Sequence, residues 1–215
     1  MPRPVCPRCL RPLALCLCSA IPALRNRIRV LVLQHPDEAR HALNTARLAV
    51  LGLAHAELVV GKTFDASLWQ RPGCESWLLF PGEDAVPAST LAARLAQRTA
   101  RAPEEAGEIQ LVVPDGTWRH ARGMLRDHPA LAALPRITLD GVAQTRYRVR
   151  HADAEGAVSS IEAVAAALNA LEGTRQYDAL LAPFERLVAQ QIAAMGEEVY
   201  QRHHVARCGS RGGAT

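Results

Sequence analysis

The chain has almost no lysine and few aromatic residues. Lys62 is the only lysine among 25 lysine and arginine residues, and aromatic side chains make up 4% of the 215 residues. So few aromatics exclude the kind of aromatic sheet surface on which many RNA-binding domains stack bases. Codon bias in a GC-rich genome accounts for the excess of arginine over lysine and for the abundant alanine. Only local clusters of arginine therefore call for a functional explanation.

Long apolar runs and nucleotide-binding signatures are also missing. No stretch approaches the roughly 18 apolar residues of a membrane span, and no apolar signal segment opens the chain. Neither GxGxxG nor GxxxxGK[ST] occurs, so no motif supports a Rossmann or a P-loop nucleotide site. With a net charge of +4 and 49% hydrophobic residues, the sequence predicts a cytoplasmic protein with one well-filled core and no membrane partner. We expect a monomer.

Cysteine is plentiful at one place only. Within residues 1–24 the spacing C-x2-C-x6-C-x-C holds Cys6, Cys9, Cys16 and Cys18. The first pair has the spacing of a zinc knuckle, and a strand over the second pair would project both thiols to one side. The sequence therefore predicts a small zinc-binding ribbon, which bound metal helps to fold. An iron–sulfur cluster or four reduced thiols are the alternatives, and Cys74 and Cys208 receive no role.

Strand and helix patterns alternate along the rest of the chain. Apolar runs predict five strands, at residues 28–35, 56–62, 76–85, 108–117 and 135–140. Amphipathic spacing predicts helices at 41–53, 88–101, 119–129, 159–173 and 177–204, the last kinked near Pro183. This order predicts an α/β fold with a largely parallel sheet and flanking helices over residues 25–205, followed by a disordered tail at 206–215.

Three of the predicted strand ends carry unusual chemistry. They are "LFPGEDA", "VVPDGTW" and, after the fifth strand, "TRYRVRHADAEGAVSSIEA". Ligands of parallel sheets bind beyond the carboxyl ends of the strands, so we expect all three segments to face one crevice. In the last segment, Ser159 and Glu162 have the spacing of a helix capping box.

Six blocks in order resemble the DTW-domain family, which is named for its D-x-T-W signature. The blocks are the four-cysteine segment followed by "IP", then "LVLQHP", "HALNTARL", "LLFPG", "PDGTW" and "SSIEA". The resemblance covers nearly the whole chain, and its one small departure is Ser160, where the family has threonine. It implies a bacterial tRNA-uridine aminocarboxypropyltransferase with a SPOUT-like fold knotted around its donor. Such an enzyme transfers the 3-amino-3-carboxypropyl group of S-adenosylmethionine to uridine N3 and releases methylthioadenosine.

The resemblance gives the D-G-T-W block catalytic roles. Uridine N3 must lose a proton before it attacks carbon, so Asp115 is the candidate general base. The alternative is that Asp115 only caps the following helix. Gly116 lets the backbone approach a ligand closely, and Thr117 can hold Asp115 or the substrate by a hydrogen bond. Trp118 either stacks on a base or packs.

The donor and the RNA each have candidate residues. Backbone groups and helix-start hydroxyls would bind the donor, with its carboxylate at the helix start; the candidates are Leu79, Phe80, Pro81, Gly82, Leu111, Val113, Pro114, Ser159, Ser160 and Glu162. Three basic clusters flanking the same crevice would bind phosphates; they are Arg25, Arg27 and Arg29, then Arg119, Arg122 and Arg126, then Arg146, Arg148 and Arg150 with Tyr147 between them. His35, His41 and Asn44 either line the site or are ordinary packed residues.

Other functions remain open at this stage. A SPOUT-type RNA methyltransferase would share the fold and S-adenosylmethionine, but would release S-adenosylhomocysteine. An aminocarboxypropyltransferase could instead act on rRNA. A zinc-ribbon protein that only binds RNA would have no need of the D-x-T-W block.

Overall fold

A six-stranded parallel sheet forms the centre of the protein. The computed structural model describes residues 4–41, 43–101, 107–139 and 158–196. Its strands are β1 (Arg29–Gln34), β2 (Ala56–Val60), β3 (Cys74–Leu79), β4 (Val86–Pro87), β5 (Glu108–Asp115) and β6 (Arg136–Thr138). They lie in the order β2-β1-β5-β3-β6-β4, and every described pairing is parallel. The predicted α/β fold with a parallel sheet is confirmed, while β4 was not predicted.

The strands β1 and β5 are buried on both faces, as their apolar sequences indicated. Val30, Val32 and Leu111 belong to the core cluster on one side of the sheet, and Leu31 and Val112 to the cluster on the other. All five side chains are at most 1% exposed. Both strands end in a buried polar residue, Gln34 in β1 and Asp115 in β5, at the carboxyl edge of the sheet.

Seven α-helices flank the sheet. They are α1 (Pro36–Ala39), α2 (Thr45–Leu51), α3 (Ala88–Arg101), α4 (Trp118–Asp127), α5 (Pro129–Ala132), α6 (Ser160–Glu172) and α7 (Leu181–Met195) among the described residues. The kink predicted near Pro183 is wrong. A 3-10 turn at Gln176–Leu180 precedes α7 instead, and Pro183 lies in the first turn of α7, where no intrahelical N–H bond is lost.

The cysteine segment packs against the main core. Leu17 is fully buried in the same cluster as α6 and α7. Arg11 Nη2 donates to Gln190 Oε1 of α7 at 3.2 Å, and Arg186 Nη1 of α7 donates to Ser19 Oγ at 3.0 Å. The strand expected over the second cysteine pair is absent from the described residues. There, 3-10 turns at Leu13–Leu15 and Cys18–Ala20 bend the chain.

The direction in which successive strands are added to the sheet reverses between the parallel neighbours β1 and β5. From β1 the chain moves outward to β2 on one side, whereas from β5 it moves to β6 on the other. Such a switch point leaves a crevice outside the carboxyl ends of the two strands. The connection from β6 to α6 runs through residues 140–157, so the predicted knot, like the predicted tail, lies outside the described residues. None of the described helices has the length and apolar character that spanning a membrane requires.

Candidate active site

Asp115 lies at the switch point and is held by residues from two other elements. It is the last residue of β5 and the register partner of Gln34, the last residue of β1. Gln34 Nε2 donates to Asp115 Oδ2 at 2.7 Å, and Ser160 Oγ at the start of α6 donates to Asp115 Oδ1. The aspartate is only 4% exposed. Three segments that are distant in sequence thus meet at one buried carboxylate.

Asn44 fixes the orientation of the Gln34 amide. Gln34 Nε2 donates to Asn44 Oδ1 at 3.0 Å, and Asn44 Nδ2 donates back to Gln34 Oε1 at 3.1 Å. The Arg47 backbone N–H can only donate, so the Asn44 atom that it contacts is the oxygen. The reciprocal pair then directs the Gln34 NH₂ toward Asp115. Asn44 Oδ1 also caps α2 by accepting the Arg47 N–H at 3.1 Å. Sequence reasoning missed Gln34, although a glutamine that ends an apolar strand was a usable signal.

The residue that caps α4 is Thr117 and not Asp115. Thr117 is the N-cap of α4, and its Oγ accepts the His120 N–H at 3.2 Å. Asp115 belongs to β5 and holds Gln34 and Ser160 instead. The suggestion that Asp115 caps the helix is therefore wrong, and the buried carboxylate needs another explanation.

Gly116 sits against two stacked histidine rings. The His35 and His120 ring centroids are 3.8 Å apart with the planes inclined by 11°. Gly116 has a φ of 155°, and a Cβ there would lie 2.9 Å from His120 Cβ and 3.4 Å from His35 Cβ. Only glycine fits this position without displacing the stack. Burial, and next the nearby His120, lower the pKa of His35.

Asp37 brings a carboxylate to the same histidine pair. Its Oδ2 lies 3.5 Å from His35 Nδ1 and 3.9 Å from His120 Nε2. These three residues have ligand atoms close enough together for a metal ion. However, a ring nitrogen donates its lone pair within the ring plane, and two nearly parallel planes do not meet at one ion. The arrangement is a polar cluster next to the D-G-T-W loop, in which the Asp37 backbone N–H donates to His35 Nδ1 at 3.2 Å.

Trp118 is an exposed aromatic at the edge of the crevice. It begins α4, is 42% exposed and contacts Phe80 edge to face at a centroid distance of 5.6 Å. Phe80 directly follows β3, so the contact joins the ends of β3 and β5. Because 42% of its surface is exposed, Trp118 keeps area that a planar ligand can contact.

The residues predicted to bind the donor occupy two kinds of position. Leu79 ends β3 at the carboxyl edge, and Phe80, Pro81 and Gly82 follow it. Leu111 and Val113 lie inside the ladder with β1, with Val30 and Val32 as register partners, so the structure does not place their backbone groups within reach of a ligand.

Pro114 differs from the other two β5 candidates. The β3–β5 ladder ends at the Leu78–Val112 pair, so Pro114 lies two residues beyond it. The Asp115 carbonyl accepts the His35 N–H on the side of β1, and successive carbonyls of a strand alternate sides, so the Pro114 carbonyl faces the side of β3. Because proline has no N–H, its position beyond the ladder also costs no hydrogen bond. Among the β5 candidates, Pro114 is therefore the one that offers a backbone acceptor to the crevice.

The start of α6 forms the predicted capping box. Glu162 Oε2 accepts the Ser159 backbone N–H at 2.8 Å and the Ser159 hydroxyl at 2.7 Å. Both residues are buried. Since Ser160 binds Asp115, two carboxylates already lie at this helix start.

The arginine clusters do not all flank the crevice. Arg119, Arg122 and Arg126 are exposed on α4, whose start lies at the carboxyl edge. Arg29 begins β1 and therefore lies at the opposite edge of the sheet, with Arg25 and Arg27 before it. Arg29 pairs with Glu57 and Arg27 with Glu172. For this cluster the expected position at the crevice is wrong. Arg146, Tyr147, Arg148 and Arg150 lie outside the described residues.

The four N-terminal thiols converge on one point. Cys6 Sγ lies 3.6 Å from Cys18 Sγ, Cys9 Sγ lies 3.8 Å from Cys16 Sγ, and the four sulfurs are all within 4.8 Å of one another. Tetrahedral zinc with bonds of about 2.3 Å requires sulfur–sulfur separations of about 3.8 Å. Backbone N–H groups of Cys9 and Arg8 lower the pKa of Cys6 to about 6, which favours the thiolate that a metal needs. The cluster is therefore compatible with a zinc site.

Comparison with known proteins assigns the chain to a family. The DTW domain matches residues 3–192, and the chain belongs to this family. It is 32% identical over 199 residues to tRNA-uridine aminocarboxypropyltransferase 2 of Drosophila melanogaster, covering 87% of this chain and 74% of that protein. It is 28% identical over 193 residues to tRNA-uridine aminocarboxypropyltransferase A of Arabidopsis thaliana, covering 79% and 73%. It is 25% identical over 219 residues to tRNA-uridine aminocarboxypropyltransferase 2 of Macaca fascicularis, covering 96% of this chain and 70% of that protein. No solved structure matches.

Proposed function

We propose that this protein is a tRNA-uridine aminocarboxypropyltransferase that uses S-adenosylmethionine as donor. The observation that carries the proposal is the buried Asp115, held by Gln34 and Ser160 at the switch point of a DTW-family sheet. A buried, oriented carboxylate is costly to fold around, which favours a role in chemistry over a role in packing. The names of the relatives supply the reaction class.

The proposed step is a proton abstraction coupled to a displacement. Asp115 accepts the N3–H proton of uridine as N3 attacks the methylene carbon next to the sulfonium. The C–S bond breaks, and its electron pair stays on sulfur to give neutral methylthioadenosine. The bonds from Gln34 and Ser160 hold the Asp115 carboxylate in one orientation, which a general base requires.

The donor site in this proposal lies over the ends of β3, β5 and α6. Backbone groups of residues 79–82 and the Pro114 carbonyl would bind adenine and ribose. Ser159, Ser160 and Glu162 would lie near the reacting end of the donor. A SPOUT-like knot around this site remains a proposal that rests on the family resemblance.

The RNA site would surround Trp118. Its exposed face would stack on the target uracil, since every base offers a π surface to an aromatic side chain. Arg119 and Arg122 on the first turns of α4 would bind neighbouring phosphates. We propose the same role in RNA binding for Arg146, Tyr147, Arg148 and Arg150. Arg25 and Arg29 would contact a more distant part of the RNA.

Zinc is the metal that we propose for the cysteine cluster, in a structural role. Four thiolates leave no open position for substrate, which is typical of structural zinc. Bound zinc would tie Cys6, Cys9, Cys16 and Cys18 together and hold the segment against α7. We also propose that the enzyme acts as a monomer in the cytoplasm, where thiols remain reduced.

Reaction products test the proposal directly. Purified protein is incubated with S-adenosylmethionine and unmodified tRNA, and both the nucleosides and the released adenosyl product are identified by mass spectrometry. We expect a uridine heavier by one aminocarboxypropyl group, together with methylthioadenosine. S-adenosylhomocysteine would identify a methyltransferase instead. Modification of rRNA in place of tRNA would change the substrate, and no product from either RNA would favour a protein that only binds RNA.

A further inference from the structure

Arg47 carries a partly buried positive charge that is not compensated. Arg47 is the third residue of α2 and is half-buried. Its Nε is shielded from solvent and has no hydrogen-bond partner in the described part of the chain. In the part of the chain that the structure describes, its guanidinium makes no hydrogen bond or ion pair; only its backbone N–H is bonded, to Asn44. A guanidinium remains charged at all relevant pH, so its partial burial is unfavourable until an anion binds.

Arg98 shows what a compensated arginine looks like in the same protein. Its Nε is also buried without a partner, but its Nη1 donates to Glu75 Oε2 at 2.6 Å. Glu75 thus neutralises Arg98, whereas none of the carboxylates that the structure describes pairs with Arg47. The difference marks Arg47 as a position that an external anion can complete.

Arg47 lies next to the proposed active site. The Arg47 backbone N–H donates to Asn44 Oδ1. The Gln34 amide donates to the same oxygen and also to the Asp115 carboxylate. Helical side chains lean toward the helix N-terminus, and α2 begins where β1 ends, at the carboxyl edge of the sheet. The guanidinium therefore leans toward the N-terminal end of α2, the end that lies at the carboxyl edge of the sheet.

The helix start at α6, which the sequence suggested for the donor carboxylate, already holds negative charge. The Glu162 carboxylate accepts the Ser159 N–H and hydroxyl, and the Asp115 carboxylate accepts the Ser160 hydroxyl. A third carboxylate there would be repelled by both. The same charges attract cations, and the aminocarboxypropyl end of S-adenosylmethionine has two, the sulfonium and the α-ammonium.

We propose that Arg47 binds the α-carboxylate of the aminocarboxypropyl donor, while Asp115 and Glu162 face its cationic groups. The charges of the site then orient the donor chain, with its anionic end at α2 and its cationic groups toward β5 and α6. This proposal rests on the proposed function, because it takes S-adenosylmethionine as the donor. It assigns Arg47 to substrate binding and to the choice of donor.

A matched pair of ligands and a matched pair of variants test the assignment. Calorimetry measures the affinity of wild type, Arg47→Met and Arg98→Met for S-adenosylmethionine and for decarboxylated S-adenosylmethionine, which lacks only the carboxylate. We expect Arg47→Met to weaken S-adenosylmethionine binding about 10- to 100-fold, the range for a hydrogen bond to a charged group. Binding of the decarboxylated ligand should not change, and Arg98→Met should alter neither affinity. Arg47→Lys, which keeps the charge without the planar fork, should lie between wild type and Arg47→Met.

Other outcomes overturn the proposal in distinguishable ways. Equal weakening of both ligands by Arg47→Met would mean that Arg47 only supports the shape of the crevice. Unchanged donor affinity with a tRNA salt slope lowered by about 0.7–0.9 would identify the anion as an RNA phosphate. If Arg47→Met does not fold, as judged by circular dichroism, the Arg47→Lys comparison decides between the same outcomes. Wild-type protein that binds neither ligand would refute the proposed function itself, and this assignment with it.

Discussion

Gln34 and Asp115 end neighbouring parallel strands as register partners, and the Gln34 amide donates to the buried Asp115 carboxylate at 2.7 Å. The pair spans the point at which the sheet reverses its winding. Because Asn44 holds the same amide from α2 and Ser160 holds the same carboxylate from α6, four elements fix one functional group.

Replacing Asp115 with asparagine tests the base. Loss of a general base typically costs about 10²- to 10⁴-fold in rate, and we expect turnover to fall by that factor with donor and tRNA affinities little changed. Raising the pH should partly rescue Asp115→Asn, since more uridine N3 is then already deprotonated. Steady-state kinetics across pH measure both effects. Near-normal turnover in a folded variant would show that the base is another group.

Replacing Gln34 with leucine removes one donor from a buried carboxylate. We expect the free energy of unfolding to fall by about 1–3 kcal/mol, with a loss of turnover because Asp115 is no longer oriented. Urea unfolding and single-turnover rates measure the two effects. Gln70→Leu, at an exposed position, is the control and should change neither. A stable, fully active Gln34→Leu would contradict the role of the amide.

Replacing Trp118 with alanine tests stacking on the target base. Base stacking on an aromatic side chain contributes about 1–3 kcal/mol, so kcat/KM for tRNA should fall by about 5- to 150-fold. Trp118→Phe should retain most of the activity, and donor affinity measured by calorimetry should be unchanged in both variants. If Trp118→Ala weakened donor binding and left kcat/KM for tRNA unchanged at saturating donor, the indole would belong to the donor site.

Replacing Cys6 with serine tests the metal. Elemental analysis of wild-type protein should find about one zinc per chain, because four clustered thiolates fill a tetrahedral site. Cys6→Ser should lose most of the zinc and lower the melting temperature, since metal binding and folding of the segment are coupled. Donor affinity should change little, because the cluster lies apart from the crevice. Metal-free wild type with all thiols reduced would refute the zinc site.

The stacked histidines predict a pH dependence of stability. Burial and the nearby His120 lower the pKa of His35 below its ordinary value of 6.5, so the unfolded chain binds more protons than the folded one just below that pH. The free energy of unfolding should therefore decrease as the pH falls from about 6.5 toward the lowered value, and should regain its full value above 6.5.

His35→Asn separates this term from other titrations. Asparagine can accept the Asp37 N–H, as His35 Nδ1 does at 3.2 Å, but it does not titrate. Urea unfolding of both proteins across this pH range should show a shallower pH slope for His35→Asn. Identical slopes would mean that His35 contributes nothing to the pH dependence.

Most secondary-structure elements were predictable because local patterns define them. Apolar runs located β1 and β5, and the spacing of Ser159 and Glu162 located the capping box of α6. Predictions failed where long-range packing decides. The 3-10 turn before α7 replaced a kink at Pro183, and the two-residue β4 has no pattern of its own.

Residue types and their spacing were enough to identify the chemical groups of the protein: four thiols at metal spacing, and an aspartate, a threonine and a tryptophan at the end of a buried strand. These features are local, because turns, caps and knuckles depend on residues a few positions apart. The contacts of Asp115 with Gln34 and Ser160, the role of Thr117 as the helix cap and the position of Arg29 at the far edge of the sheet became visible in the folded chain alone. Strand order sets these relationships, and strand order depends on how the whole chain buries its apolar faces, which no short stretch of sequence specifies.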